Sequence, residues 1–492
     1  MTWGLRAFLA AAIVTAPLLT GACTTNPATG RPSFTAFMSS EQEIQVGREQ
    51  HPKILQEFGG EIEDAKIKAY VNTLGQRLAR ISEFPDLNWT FTVLNSDITN
   101  AFALPGGYVY VTRGLLSLAS TEAELAGVLG HEIGHVTARH SAQRYSTGVA
   151  ASLGALVLGV LTGSDLVAQA GQSVAGIALA SYSREQELEA DMLGVRYLAR
   201  AGYDPTAMST FLEKLQMESA LAAELAGRPG AENEFNIMAT HPRTQDRVQE
   251  AIAAARREVA QPANPRIGRD DYLNIIDGMA YGGDRDSGFV RQRRFIHPAL
   301  RFAFEVPPGF NITNSATAVT ARGPGNARII FNRDARAETA GLDMIDYLQR
   351  VWARGARLQA VERIEINGMP AATGATRVQT NSGMMDMRLV AIRFDARTIY
   401  RFIFATPPSA TAGYNEAFRR TTYSFRKLSE SEAAAARPPR IAVVTVKSGD
   451  TVESLARRMA FDTAQVQRFR VLNGLRPGEE VKPGQRVKIV VE

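Results

Sequence analysis

The chain has 492 residues, 45% of them apolar and 21% charged, with a formal net charge of +5. That length calls for several folded units, and the composition excludes a wholly disordered or fibrous chain. No dense Lys/Arg block is interleaved with aromatic residues, so nucleic acid is not expected as a partner.

Met1 to Arg6 carries one positive charge, and Ala7 to Leu19 is a run of apolar and small residues leading to Thr20-Gly21-Ala22-Cys23. This is the layout of an export signal over residues 1–22. The run is shorter than the ~20 residues of a spanning helix, which favours a cleaved signal over a permanent anchor. Cys23 is the only cysteine, so no intrachain disulfide can form. Its setting resembles the lipobox of bacterial lipoproteins, with Thr20 where Leu is usual. The resemblance implies acylation of Cys23 and anchoring to the outer membrane from the periplasmic side. Ordinary cleavage near Ala22 would instead leave a soluble periplasmic protein.

Residues 23–40 read as a tether. From 41 to 260, helical patterns alternate with one strand region, in which Trp89 to Leu94 alternates and Tyr108 to Val111 follows the Pro105-Gly106-Gly107 turn. Residues 261–289, rich in Pro, Gly and Asp, read as a linker. From 290 to 428 the texture is that of a small α+β domain, with strands such as Ala327 to Phe331 and Thr398 to Phe404 and a helical stretch from Leu342 to Ala353. Its histidine, His297, precedes Pro298 and reads as a surface or turn residue. A second linker spans 429–439.

The segment 440–492 holds Ser448-Gly449-Asp450-Thr451, a helical stretch from Val452 to Met459, the Asn473-Gly474 turn and the Pro483-Gly484 turn before a last strand. It resembles a LysM domain. The resemblance implies a βααβ fold and binding to N-acetylglucosamine-containing glycans, which in a bacterial envelope means peptidoglycan; use as a structural cap is the alternative.

The sharpest signal is His131-Glu132-Ile133-Gly134-His135. Residues four apart share a helix face, so the two imidazoles converge on one metal, and Glu132 stands beside them to activate the attacking water. Leu125, Val128, Leu129, Ile133 and Val136 supply the helical period, and Thr121 with Glu124 is expected to form a capping box at its start. Zinc requires a third protein ligand, and Ser183 to Asp191 offers Glu187 and Asp191, again four apart. One reaches the metal and the other accepts the N–H of a ligating histidine. Glu185 and Glu189 are expected to be solvated, and His140 to be structural or exposed; His51 lies in no motif.

Residues from about 41 to 258 resemble the HtpX/BepA-type zinc metallopeptidases, gluzincins related to the CAAX prenyl protease. The resemblance rests on Asn100 to Gly107 with Gly114-Leu115, on the His131 to His135 motif, on Ser183-Arg184, Glu187 and Ala190-Asp191, and on His241-Pro242. It implies one Zn²⁺ per chain held by His131, His135 and Glu187, Glu132 as catalytic base, and a supporting role for Asp191. It also implies places near the metal for His241 and Arg247. The apolar run from Gly148 towards Ala180 reads as a helical hairpin or lid, because Gly163-Ser164-Asp165 breaks it.

The expected architecture is therefore α+β and multidomain: a mainly helical zincin-type peptidase domain with a small strand pair or sheet, a small α+β middle domain, and a C-terminal LysM-like domain. The expected activity is zinc-dependent endopeptidase of the bacterial envelope, acting on unfolded or misassembled envelope proteins in quality control. Peptidoglycan and, through a lipid anchor, the membrane are the other expected partners. The competing expectation is a peptidoglycan-binding envelope lipoprotein with chaperone-like or glycan-directed activity.

Overall fold

The structure, a computed structural model, describes residues 23–149, 182–225, 262–315, 317–380 and 383–492, together with 227, 230, 249, 250, 253 and 257. The chain divides into two units, Met1–Ser219 with Glu232–Ile276 and Val471–Gly474, and Ala220–Ala231 with Asp277–Arg470 and Leu475–Glu492. No helix among the described residues is long and apolar enough to cross a membrane.

The first unit opens on a hairpin, β1 (Cys23–Thr25) and β2 (Pro32–Phe34), with Cys23 opposite Phe34. The stretch expected to be a tether is thus folded and held. Gly30 turns the chain at φ +71°, the Asn26 amide donates to the Ala138 carbonyl at 3.2 Å, and Arg196 donates to the Ala28 carbonyl at 2.9 Å. Helix α1 (Ser40–Glu57) starts on a capping box between Ser39 and Gln42. Helix α2 (Ala65–Ala79) starts on Asp64, whose carboxylate accepts the Lys66 and Ile67 N–H groups.

Of the small strand pair or sheet expected, the structure has the sheet, three-stranded and mixed. Strand β3 (Thr90–Leu94) runs parallel to the central β5 (Tyr108–Thr112), and β4 (Ala101–Leu104) pairs antiparallel on its other side. All four residues of β4 are buried, so it lacks the alternation by which a half-exposed strand is read. The β4–β5 turn is fixed by α1: a Cβ on Gly106 would lie 2.6 Å from Ile44 Cα, and its φ of +81° also demands glycine.

After a short α3 (Arg113–Leu118) come α4 (Glu122–Thr137), α5 (Arg184–Arg200) and α6 (Ala207–Leu225). The whole run from Glu122 to His135 in α4 is buried, which places this helix inside the unit. Its capping differs from expectation. The Thr121 hydroxyl accepts the Glu124 N–H at 3.1 Å, but the Glu124 carboxylate takes the Ser120 N–H at 2.7 Å and pairs with buried Lys214 of α6 at 2.7 and 2.8 Å. The stretch read as a linker contains α7 (Arg269–Ile276), with Tyr272, Leu273 and Ile276 fully buried and the Tyr272 hydroxyl donating to the Leu116 carbonyl at 2.6 Å. A single apolar turn among Pro, Gly and Asp was too short to stand out as a period.

In the second unit, β6 (Phe289–Arg291), β7 (Arg294–His297) and β8 (Phe302–Glu305) join the later β16 (Arg426–Lys427) in a four-stranded sheet. A seven-stranded antiparallel sheet is built from β9 (Asn311–Asn314), β10 (Val319–Arg322), β11 (Arg328–Asp334), β12 (Gln359–Ile366), β13 (Met369–Thr380), β14 (Gly383–Arg393) and β15 (Ile399–Thr406), in the order β12-β13-β14-β15-β11-β10-β9. The helical stretch of this region is a short α8 (Met344–Asp346) running on as a π-helix over Tyr347–Trp352, and α9 (Thr411–Ser424) follows the last long strand. Phe302, Phe304, Phe331, Tyr400, Phe402 and Phe425 form its core.

His297 is not a surface residue. It is 8% exposed, its ring lies against Phe295 and Phe302, and its Nδ1 accepts the Leu300 N–H at 3.2 Å. The second expected linker carries α10 (Glu430–Ala435), opened by a Ser429–Glu432 capping box. The chain closes with β17 (Arg440–Thr445), α11 (Val452–Ala456), α12 (Gln465–Asn473) and β18 (Arg486–Val491), the two strands pairing antiparallel with Arg440 opposite Val491.

Candidate metal centre

Helices α4 and α5 meet at their small residues. A Cβ on Gly194 would lie 2.9 Å from the His131 backbone nitrogen, and one on Gly134 would lie 3.1 Å from the Ala190 carbonyl oxygen. Only glycine permits so close an approach of backbones at these points. The crossing sets His131 and His135 of α4 against Glu187 and Asp191 of α5, all at most 2% exposed.

One ligand atom from each of His131, His135 and Glu187 lies within 4.8 Å of the others. The separations are 3.0 Å between the two Nε2 atoms, 3.3 Å from His135 Nε2 to Glu187 Oε1, and 3.7 Å from His131 Nε2 to Glu187 Oε2. A tetrahedral site with bonds of about 2.0–2.1 Å has edges of about 3.3 Å, which these distances bracket. Two imidazoles and a carboxylate are also the donor chemistry that suits zinc. Glu132, Glu187 and Asp191 are wholly buried carboxylates, and a divalent cation supplies the opposite charge such a place requires. The residues therefore fit the metal.

Each histidine is held from behind. His131 Nδ1 lies 2.9 Å from Asp191 Oδ1, and a buried carboxylate at that place favours the tautomer that leaves the Nε2 lone pair for a metal. His135 Nδ1 lies 2.9 Å from His140 Nδ1, and His140 Nε2 lies 2.9 Å from Glu189 Oε2. The His135 ring also stacks on Tyr182 at 3.8 Å between centroids, and the Arg144 guanidinium covers the other side of the tyrosine at 3.8 Å. Burial pushes the Tyr182 hydroxyl above its ordinary range, so it stays protonated.

One expectation fails here and another is narrowed. Glu189, with a side chain 12% exposed, meets His140 rather than solvent, and of the two readings of His140 the exposed one is excluded, because it is fully buried and bonded to His135. Burial pushes the His140 imidazole below its ordinary range although Glu189 pulls the other way. Burial raises Glu189, but its hydrogen bonds to His140 and Thr29 together with the nearby charges bring it below the usual carboxylate range. The sequence hid this contact because His140 is five residues from His135. Helix α4 ends at Thr137, and Arg139 in the left-handed region at φ 56° turns His140 back under His135. Glu185 is exposed, as expected. His51 bonds Tyr110 through its Nδ1 at 2.8 Å, on α1. Cys23 opens β1. His241, Arg247 and most of the stretch read as a lid lie outside the described residues.

Comparison with known proteins agrees with this geometry. Residues 65–255 match the model of peptidase family M48, and residues 444–490 match that of the LysM domain. The beta-barrel assembly-enhancing protease of Escherichia coli K12 is 33% identical over 268 residues, 52% of this chain and 52% of that protein. The mitochondrial metalloendopeptidase OMA1 of Arabidopsis thaliana is 36% identical over 165 residues, 33% of this chain and 31% of that one. Among solved structures, cyanobacterial PsbP from Synechocystis covers 28% of this chain and 94% of its own at 13% identity, with a TM-score of 0.23 that supports no conclusion. The chain spans about half the length of the beta-barrel assembly-enhancing protease it matches. Matched across the very helix pair that gathers these donors, the chain carries a peptidase family M48 domain, and a LysM domain at its C-terminal end.

Proposed function

We propose that the chain is a zinc-dependent endopeptidase of the bacterial envelope, hydrolysing peptide bonds of unfolded or misassembled proteins. The observation that carries this reading is the convergence of His131, His135 and Glu187 in a buried place, with Glu132 on the same helix turn. Similarity to beta-barrel assembly-enhancing proteases supports envelope protein quality control as the setting.

His131, His135 and Glu187 would hold the metal, which when bound supplies Lewis acidity, polarising a carbonyl and bringing the pKa of water down to about 7. Glu132 takes a proton from the attacking water and delivers it to the leaving amine. Asp191 keeps His131 in the tautomer that offers Nε2. His241 and Arg247 are assigned as donors to the developing oxyanion, each worth roughly 3 kcal/mol in comparable sites. An extended substrate adds to an edge of the Trp89 to Val111 strand region, where backbone bonding tolerates many sequences.

On this reading residues 41–260 perform the chemistry, and 440–492 hold the protein on peptidoglycan. An acylated Cys23 tethers it to the outer membrane, on the periplasmic side. Residues 290–428 form a middle domain to which no activity is assigned. Incubation with casein and, separately, with purified sacculi tests the substrate class. Peptides from casein, suppressed by a zinc chelator, with no soluble fragments from sacculi, is the expected result; fragments from sacculi with casein left intact would replace the protein substrate with a glycan-directed one.

A further inference from the structure

We propose that His140 and Glu189 are positioning residues for His135, a hydrogen-bonded chain that selects which nitrogen of this ligand faces the metal. The inference rests on the reading of His131, His135 and Glu187 as a metal site.

Two ring nitrogens 2.9 Å apart bond only when one carries the hydrogen and the other the lone pair. The far nitrogen of His140, Nε2, lies 2.9 Å from Glu189 Oε2, and an ionised carboxylate only accepts. His140 therefore carries its hydrogen on Nε2 and offers a lone pair at Nδ1. The hydrogen shared by the two Nδ1 atoms then belongs to His135. That leaves the lone pair of His135 on Nε2, the atom 3.0 Å from His131 Nε2 and 3.3 Å from Glu187 Oε1. Without Glu189 the hydrogen on His140 has no fixed side, and without His140 the His135 Nδ1 loses this acceptor while the ring keeps its Tyr182 stack.

The two ligating histidines are thus supported unequally. Asp191 reaches His131 directly, whereas the carboxylate behind His135 acts through a second imidazole. The outer end of that chain is tied down by the N-terminal hairpin: Asn26 Nδ2 lies 3.4 Å from Glu189 Oε1 and 3.2 Å from the Ala138 carbonyl oxygen, beside the turn that presents His140.

Zinc affinity of the full chain, measured by competition with a chromophoric chelator, tests the proposal. His140→Ala is expected to weaken binding about 10- to 100-fold and Glu189→Ala about tenfold, the usual range for groups that orient a metal ligand. Glu189→Gln keeps an oxygen to accept the His140 N–H and should stay within about threefold of wild type. The double variant His140→Ala/Glu189→Ala should bind no more weakly than His140→Ala alone, because Glu189 acts only through His140. A merely structural role predicts instead that the two losses add and follow the melting temperature of the metal-free protein. If His140→Ala is insoluble, the comparison of Glu189→Ala with Glu189→Gln decides. Equal affinity of wild type, Glu189→Ala and Glu189→Gln, alongside lost binding in His135→Ala, overturns the positioning role and leaves the metal site standing. Undiminished binding in His135→Ala overturns the metal site and the inference with it.

Discussion

Replacing Gly194 with alanine asks whether the closeness of α4 and α5 sets the spacing of the metal donors. The new methyl carbon would sit 2.9 Å from the His131 nitrogen, 3.2 Å from its Cα and 3.3 Å from the Gly130 carbonyl carbon, whereas ordinary contact begins at 3.4 Å. All three neighbours are backbone atoms that cannot rotate aside, so the helices must part by about half an ångström, the gap between 2.9 and 3.4 Å. Overpacking of this kind costs about 1–3 kcal/mol, and the better helix propensity of alanine returns about 1 kcal/mol. The net loss of stability is therefore small. Metal sites tolerate only about ±0.2 Å in their bond lengths, so the displacement should reduce zinc affinity at least tenfold, or about 1.4 kcal/mol. Gly127→Ala is the control, because its nearest neighbours stand at 3.5–3.6 Å and the substitution should leave affinity unchanged. Chelator competition, with thermal melts of metal-free and zinc-loaded protein, measures both quantities. Wild-type affinity in Gly194→Ala would refute the idea that this crossing sets the donor spacing.

Lys214→Met leaves the Glu124 carboxylate buried at the start of α4 without its ammonium partner, and should cost about 3–5 kcal/mol in denaturant unfolding. Adding Glu124→Gln, which still accepts the Ser120 N–H, should recover most of that loss. His297 makes a prediction about pH. Burial first, and then the nearby Arg333 charge against the opposing Asp284, pushes its pKa from 6.5 to about 4. Between those values the unfolded chain binds the proton and the folded one does not. The stability it confers is therefore complete above pH 6.5 and is lost as pH falls towards 4, by roughly 3 kcal/mol at about 1.4 kcal/mol per pH unit. Unfolding of wild type and His297→Gln from pH 7 to 4 should show the variant with the flatter profile; parallel profiles would contradict the assignment.

What could be read from the residues alone was whatever depends on a local period. His131 and His135, and then Glu187 and Asp191, are four apart, and a helix forces such pairs onto one face. That those faces meet follows from Gly130, Gly134 and Gly194, whose packing partners lie far away in sequence. Strand β4 escaped notice because it is buried throughout, and α7 because its apolar turn is short. The hairpin after Cys23 is held by bonds to Ala138 and Arg196, which no property of its own sequence announces. The contact between His140 and Glu189 was hidden for the same reason. Their meeting depends on one left-handed residue, Arg139, that ends a helix at the right place. Glu124 shows the converse, a local capping signal partly overridden by a tertiary partner, Lys214.

Bound zinc and casein hydrolysis, determined side by side for wild type, Glu132→Gln and His135→Ala, decide whether this helix pair is a metallopeptidase centre. Wild type should bind zinc and cleave, Glu132→Gln should keep the metal and fall silent, and His135→Ala should lose both. Zinc retained in His135→Ala, or cleavage retained in Glu132→Gln, would contradict the roles given to these residues.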